Sequence, residues 1–183
     1  MIRHATPVDG CFVIEPDRRG DARGFFSRVF DAATFADAGL AANFVQVNNS
    51  LSSEAGTLRG LHYQVAPHGE VKLLRCIAGS IFDVVLDLRD GSPTFGKWAG
   101  AELSATNRRL MYVPRGCAHG FLTLAPDSEV IYFADTPYAG CYERIVRWDD
   151  PRFAIEWPRR PAVLSDKDRT APDFDSTWHA SGY

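Results

Sequence analysis

The densest cluster of chemically versatile side chains lies in the segment Leu58–Gln64, with Lys72 following it closely. The cluster brings the guanidinium of Arg59, the imidazole of His62 and the ammonium of Lys72 into adjoining β elements. Because alternate residues of a strand face the same way, His62 and Gln64 share one side. A barrel that directs His62 and Lys72 inward would set a neutral base beside a positive charge. Such a pair suits proton abstraction next to a carbonyl.

The chemistry follows from where charge develops in that reaction. Removing a proton next to a ketone builds negative charge on the carbonyl oxygen, and a cation already placed in a dry pocket stabilises the enolate. Histidine titrates at about pH 6.5 in model compounds, and a partner carboxylate would fix its tautomer and raise its basicity. The alternative is that His62 and Lys72 are satisfied at a barrel rim, and geometry decides between the two interpretations.

A second group of candidates follows further along the chain. His119 lies in a turn that enters a strand, and it would lie beside the first cluster if the barrel closes. Cys117 precedes it by two positions, but a buried structural thiol is the better interpretation. The phenol of Tyr132 is either a proton donor or a packed barrel aromatic, and the residues by themselves favour packing.

The elements that must position these residues are mainly β-strands. The segment Val71–Arg89 predicts two strands around a turn at residues 78–80, with Phe82, Val84, Leu86 and Leu88 on one face and Asp83, Val85 and Asp87 on the other. Further short β-rich segments are Phe44–Val47, Arg109–Val113, Gly120–Leu124 and Glu129–Ala134. Turn signals separate them, and this spacing predicts an all-β sandwich or barrel.

Two segments depart from the β pattern. An alanine-rich stretch predicts a short helix over Asp31–Ala38, where a capping aspartate begins it and Gly39 can end it. After Pro158 the chain becomes proline-rich and charged, which predicts turns or short helices on the barrel surface. No linker or repeat divides residues 1–183, so one domain is expected.

Composition narrows the functional class. The 183 residues carry a net charge of −3 and no block of basic residues, which argues against a nucleic-acid partner. No signal peptide or membrane span is evident, so a cytoplasmic protein is expected. The four cysteines form no Cys-x-x-Cys pair, and they are expected to be reduced and mostly buried.

Seven motifs occur in an order that is highly specific. They are QVNNS at 46–50, GTLRGLHYQ at 56–64, VKLLRC at 71–76, SPTFGKW at 92–98, VPRGCAHGF at 113–121, WDDP at 148–151 and LSDKD at 164–168. Together they closely resemble the dTDP-4-dehydrorhamnose 3,5-epimerase family, from about Arg23 to Asp168. The resemblance implies a jelly-roll cupin dimer, in which N-terminal strands are exchanged between subunits. It also implies action on a nucleoside-diphosphate 4-keto-6-deoxy sugar without metal or organic cofactor.

The resemblance also implies roles for individual residues. His62 matches the general base, Asp168 the carboxylate paired with it, Lys72 the residue that stabilises the enolate, and Tyr132 the acid that returns a proton from the opposite face. Further positions match the substrate-binding set: Arg23, Phe26, Gln46, Asn48, Arg59, Asp83, His119 and Tyr138.

The chain departs from the family pattern at two positions. Arg28 stands where the family usually has a glutamate that contacts the thymine base, and Phe133 replaces a usual lysine. An arginine is a donor-only cation, so it cannot accept from an imide N–H as a carboxylate does. Either Arg28 alters base preference or it is a solvated surface residue. The identity of the nucleotide base stays open. It also stays open whether the enzyme inverts the sugar at C3 alone or at both C3 and C5.

Two other functions are kept as alternatives. A metal-dependent cupin enzyme needs two or three histidines and a carboxylate around one ion. The first strand offers His62 alone, and His4, His68 and His179 lie in polar segments that are expected to be exposed. A non-catalytic sugar-nucleotide-binding cupin should have lost an acid-base residue. This chain retains all four of them: His62, Lys72, Tyr132 and Asp168.

Overall fold

The computed structural model describes the whole chain, Met1–Tyr183. The strands are β1 (Ile2–Ala5), β2 (Phe12–Glu15), β3 (Arg18–Asp21), β4 (Gly24–Ser27), β5 (Gln46–Ser52), β6 (Thr57–Gln64), β7 (Lys72–Ala78), β8 (Ser80–Asp87), β9 (Trp98–Ser104), β10 (Leu110–Val113), β11 (Cys117–Thr123), β12 (Ser128–Ala134), β13 (Glu143–Ile145) and β14 (Val163–Leu164). The helices are α1 (Ala32–Asp37), α2 (Asp166–Arg169) and a 3₁₀ turn at Gly140–Tyr142.

Two antiparallel sheets face each other in a jelly-roll barrel. The first sheet has the order β1-β2-β10-β7-β12-β5, and the second has the order β13-β6-β11-β8-β9 with β14 parallel to β6. Between them lies an apolar core that includes Leu74, Val85 and Met111. The all-β jelly-roll prediction is confirmed.

The two strands predicted within Val71–Arg89 are present as β7 and β8, but they do not pair with each other. β7 belongs to the first sheet and β8 to the second, so the intervening turn carries the chain across the barrel. Gly79 has a φ of +68°, and a Cβ there would collide with Ser128. Glycine is therefore required at this crossing. The two predicted faces of β8 are present, with Val84, Leu86 and Leu88 in one cluster and Val85 in the core between the sheets.

The outer face of each sheet is partly covered. Helix α1 lies against the first sheet, where Phe35 is fully buried beside Leu73 and Leu110. The predicted start of this helix is confirmed, because the Asp31 side chain accepts a hydrogen bond from the Thr34 amide at 2.9 Å. The C-terminal segment covers part of the second sheet with its aromatic side chains, which include Phe153, Trp157 and Phe174.

Several expectations need correction. The strand predicted at Phe44–Val47 begins instead at Gln46, because Phe44 packs on the outer cluster around α1. The short strands β1 to β4 were not predicted, since they lack an alternation of buried and exposed residues. His179, expected to be exposed, is completely buried, and its ring nitrogens contact the backbone of Asp175 and Ile145.

The hairpin formed by β3 and β4 stands apart from both sheets. It pairs only within itself, and nearly all of its residues are exposed. Neither helix of the protein has the length and apolar content needed to cross a membrane.

Candidate active site

A cavity of about 440 Å³ opens between the two sheets. The second sheet contributes His62 and His119, and the first sheet contributes Lys72 and Tyr132. The lining also includes Ser50, Thr57, Leu58, Arg59, Phe121, Val130, Val163, Leu164, Ser165 and Asp168. The barrel therefore collects six of the residues singled out from the sequence around one space.

His62 and Asp168 form the tightest polar pair in this cavity. Their Nε2 and Oδ1 atoms are 2.5 Å apart, although the residues are 106 positions apart in the chain. Burial opposes ionisation of Asp168, but hydrogen bonds from His62 and Ser165 outweigh it, so the pKa of Asp168 lies below its usual value. A carboxylate only accepts, so Nε2 carries the proton of the neutral ring and Nδ1 keeps its lone pair. The arrangement equips His62 to act as a base through Nδ1.

The carboxylate is positioned by a short segment of the C-terminal region. Strand β14 pairs with β6 and brings the start of α2 beside His62. Ser165 caps that helix by accepting from the Asp168 amide at 3.1 Å, and its hydroxyl donates to Asp168 Oδ2 at 2.9 Å. Both oxygens of the carboxylate are thus engaged, which fixes its orientation.

His119 and Asp83 form a second histidine–aspartate pair. His119 lies opposite His62 in the β6–β11 register, and its Nε2 is 2.9 Å from Asp83 Oδ1. Asp83 is completely buried and lies behind His119, so its predicted position on the pocket surface needs correction. Burial raises the pKa of Asp83, and the nearby His119 opposes that rise. Its contribution to the site is to orient His119.

Lys72 is held at the cavity by two oxygen acceptors. Its Nζ lies 3.0 Å from Glu70 Oε1 and donates to the His62 carbonyl oxygen at 3.3 Å. The other carboxylate oxygen of Glu70 accepts from Gln64 Nε2 at 3.3 Å. The ammonium therefore lies directly beside the strand that carries the base, with a carboxylate partner that the sequence reasoning did not identify.

Tyr132 faces His62 from the opposite sheet. It lines the cavity and also packs against the core, so the phenol is both accessible from the cavity and part of the packed barrel interior. Burial raises the pKa of Tyr132, and the negative charge of Glu70 adds to that rise while Arg59 opposes it. The phenol therefore stays protonated at neutral pH and is able to donate a proton.

A second cavity of about 290 Å³ shares His62, Lys72 and Tyr132 with the first. Its additional lining residues include Gln46, Asn48, Gln64, Glu70, Tyr138 and Glu143. Its polar groups are interconnected: Gln46 donates to Asn48, and the Tyr138 hydroxyl donates to Glu143 at 3.0 Å. Glu143 also pairs with Lys167 at 2.6 Å. Sequence reasoning missed Glu143 and Lys167, although Lys167 lies within the LSDKD motif.

Three of the expected substrate-binding residues lie elsewhere. Arg23 is on the tip of the β3–β4 hairpin with a 90% exposed side chain and pairs with Asp21. Phe26 and Arg28 line a separate cavity near α1, where Arg28 NH1 is 3.4 Å from Asp31 Oδ2. Within one chain these residues do not reach the site.

The donor sets of a metal-dependent cupin are not assembled here. No group of three or more His, Cys, Asp or Glu side chains is arranged to hold an ion. His62 and His119 each pair with an aspartate instead, and His179 is buried away from the cavity among backbone partners.

Comparisons with known proteins agree on one family. The family model described as dTDP-4-dehydrorhamnose 3,5-epimerase matches residues 5–176. The protein of that name from Sinorhizobium fredii is 47% identical, covering 88% of this chain and 84% of its own.

Solved structures agree with the sequence comparison. The crystal structure of dTDP-4-dehydrorhamnose 3,5-epimerase from Elizabethkingia anophelis superposes with a TM-score of 0.92 at 42% identity, covering 95% of this chain and 96% of that one. A dTDP-6-deoxy-D-glucose-3,5-epimerase from Legionella pneumophila, solved in complex with dTDP-4-keto-L-rhamnose, gives a TM-score of 0.90 at 39% identity, with coverage of 97% and 96%.

Proposed function

The chain belongs to the dTDP-4-dehydrorhamnose 3,5-epimerase family, and we propose that it inverts C3, C5 or both in a dTDP-linked 4-keto-6-deoxy sugar. This is the activity of an isomerase, and the similarity to named epimerases favours neither a metal-dependent cupin enzyme nor a non-catalytic binding protein. The observation that carries the proposal is the 2.5 Å pair of His62 and Asp168 in a cavity whose opposite wall bears Tyr132.

The first half-reaction is the removal of a proton next to the ketone. His62 Nδ1 takes the proton from the carbon, and the electron pair moves toward C4 so that negative charge develops on the carbonyl oxygen. The Lys72 ammonium stabilises that charge, and Asp168 stabilises the imidazolium that forms on His62. No redox partner is needed because no electrons are gained or lost overall.

The second half-reaction returns a proton to the opposite face of the same carbon. His62 projects from the second sheet and Tyr132 from the first, so a flat enolate between them has one group on each face. The Tyr132 hydroxyl donates its proton, and the enolate collapses back to the ketone with inverted configuration. Solvent then restores the protonation states of Tyr132 and His62.

The nucleotide portion requires groups beyond the acid-base cluster. Arg59 offers a cation at the first cavity, while Gln46, Asn48 and Tyr138 offer amides and an aromatic ring at the second. Arg23, Phe26 and Arg28 would complete the contacts if the hairpin of a second subunit reached this site. The substrate-binding set is then divided between two copies of the chain.

A homodimer of this kind is supported by the surface around β5. This strand ends the first sheet with one unpaired edge, and its outward side chains Val47 and Leu51 are exposed. Unpaired edges and exposed apolar side chains are hazardous unless another chain covers them. The hairpin also exposes Phe25 and Phe26. Small-angle scattering at micromolar concentration should give a dimer mass, and a monomer mass would contradict this assembly.

A cytoplasmic location is part of the same proposal. All four cysteines are free, and Cys11, Cys76 and Cys117 are buried, as is usual for proteins of a reducing compartment.

The direct test is solvent exchange. Incubation with dTDP-4-keto-6-deoxyglucose in deuterated water should place deuterium at C3, C5 or both, because His62 removes the original proton and the Tyr132 hydroxyl, which exchanges with solvent, returns a deuteron. Nuclear magnetic resonance of the recovered sugar locates the label. Substrate that raises the melting temperature yet acquires no deuterium at either carbon would rule out the proposed activity, since a ligand of the folded state is then bound without turnover.

A further inference from the structure

Glu70 is the carboxylate partner of the cavity ammonium, and nothing in the proposed reaction yet uses it. Its Oε1 lies 3.0 Å from Lys72 Nζ, and the two side chains are only 12% and 11% exposed. Its Oε2 accepts from Gln64 Nε2 at 3.3 Å. Both oxygens are therefore committed, one to the cation and one to an amide that holds the carboxylate in place.

A buried ammonium needs such a partner. Taking a lone charge out of water is costly, so an unpaired lysine in this position would lose its proton or turn toward solvent. The other contact of Lys72 is the neutral carbonyl oxygen of His62, at 3.3 Å. Glu70 is thus the carboxylate in direct contact with the lysine at this point of the cavity wall.

The backbone that presents Glu70 is fixed independently of the charge. It precedes β7 directly, and the neighbouring Gly69 amide donates to the Tyr183 hydroxyl at 2.9 Å. The Gly69 carbonyl oxygen accepts from Arg115 and from Thr136. Tyr183, Arg115 before β11 and Thr136 after β12 thereby hold the loop.

We propose that Glu70 is a positioning residue for the epimerisation, which keeps the Lys72 ammonium charged and directed at the enolate oxygen. The inference rests on the proposed function, because it assigns Glu70 a role only through Lys72. Glu70 itself does not touch the reacting atoms. Other titratable groups face the same ammonium from neighbouring strands, namely His62 on β6, Asp83 on β8, Tyr132 on β12 and Glu143 on β13.

A double-mutant cycle in the solvent-exchange assay tests this role. Glu70→Gln should lower kcat by about 10- to 100-fold with little change in KM, a smaller loss than removal of a charged stabiliser itself. The alkaline limb of its pH profile should move to lower pH, because the ammonium has lost its counter-charge. Lys72→Met should be the more damaging single change. Glu70→Gln added to Lys72→Met should then have no further effect, because coupled residues are not additive.

Two further variants separate charge from folding. Glu70→Asp keeps the carboxylate and should retain an intermediate kcat with the alkaline limb near its wild-type position. Tyr183→Phe removes the hydroxyl that holds Gly69 but leaves the charges intact, so it should keep the wild-type pH profile. Melting temperatures of all variants report whether the fold is preserved.

Several results would overturn the role of Glu70 while leaving the epimerase activity of the wild type untouched. They are a wild-type kcat in Glu70→Gln, losses that multiply in the double variant, and a Tyr183→Phe protein that reproduces the Glu70→Gln profile. Full activity in Lys72→Met would also overturn it, since Glu70 would have no cation through which to act. Failure of the wild type to exchange deuterium is a separate outcome that concerns the reaction itself.

Discussion

The side chains around His62 are each fixed by several partners, whereas those of the β3–β4 hairpin project from the barrel. Asp168 has both oxygens hydrogen-bonded inside the cavity. Arg23 on the hairpin pairs only with Asp21, two positions away in the chain, and is almost fully exposed. The acid-base groups are therefore organised within one chain, while the hairpin carries exposed groups that lie away from the cavity of their own chain.

The physical reason lies in how each region is held. The cavity residues sit on central strands whose neighbours on both sides fix the backbone, and Lys72 and Tyr132 lie on adjacent strands of one sheet. The hairpin is an isolated two-stranded ribbon, which is marginally stable by itself in water. One contact between the ribbon and the rest of the chain is made by the guanidinium of Arg108, 4.5 Å from the Phe25 ring. We therefore expect cavity variants to change turnover and hairpin variants to change binding.

The largest effect is expected from His62, the general base of the His62–Asp168 pair. His62→Ala should lower deuterium exchange by about 100- to 10,000-fold, the range typical of losing a general base. His4→Ala is the matched control, because His4 is a half-exposed histidine on β1 outside the cavity, and its exchange rate should equal that of the wild type. Wild-type exchange in His62→Ala would remove His62 from the role of base.

The next largest effect is expected from Asp168, the carboxylate partner of His62. Asp168→Asn should reduce exchange less completely than His62→Ala, by about 10- to 1,000-fold, because it disturbs the tautomer and basicity of the histidine without deleting it. Asp166→Asn on the same helix, whose side chain is 97% exposed, should behave as wild type. A loss equal to that of His62→Ala would indicate that the carboxylate itself takes part in the proton transfer.

The same variant should change the acid stability of the fold. Because the pKa of Asp168 is lowered in the folded protein, its stabilising contribution is present above the unfolded value of about 3.9 and is lost as the pH falls through the lower folded value. The difference in urea stability between wild type and Asp168→Asn should therefore be widest near neutral pH and narrow below about pH 4. A difference that stays constant from pH 7 to pH 3 would contradict the ionised pair.

A smaller effect is expected directly after the hairpin, where Arg28→Glu replaces donors with acceptors. If Arg28 meets the base in a dimer, its N–H groups favour acceptor-rich edges such as those of cytosine or guanine over an imide N–H. Calorimetry should then show thymidine diphosphate binding the wild type no better than cytidine or guanosine diphosphate. The variant should shift preference toward thymidine by about 1 to 3 kcal/mol, the order of one charged hydrogen bond.

Arg18→Glu on the neighbouring strand of the hairpin is the control for a general charge effect. It should leave the order of nucleotide affinities unchanged. Strong thymidine selectivity that Arg28→Glu does not alter would place Arg28 outside the base pocket, and its departure from the family pattern would carry no functional meaning.

The smallest effect is expected from a chelator. Lys72 and Arg59 supply the positive charge that the enolate needs, so EDTA should leave the exchange rate unchanged within experimental error. Inactivation by EDTA that zinc, manganese or iron reverses would revive the metal-dependent cupin. Elemental analysis of the purified protein gives an independent measure.

The sequence pattern predicts most of the local secondary-structure elements of the barrel. Alternation along Phe82–Leu88 predicted which residues of β8 share a face, and the Asp31 cap with Gly39 bounded α1 within a residue. These features depend on contacts within a few positions, which a sequence pattern records directly. The same holds for the motif around His62, since neighbours on one strand stay neighbours in the fold.

The sequence alone therefore determined the fold class and the family, along with the candidates His62, Lys72, Tyr132 and Asp168. Only the tertiary structure decided that Asp83 is hidden behind His119 and that Glu70 is the partner of Lys72. It also decided that the hairpin residues lie away from the cavity of their own chain. The reason is that pairing across a barrel depends on sheet order and register. Both are set by long-range packing that no local pattern encodes.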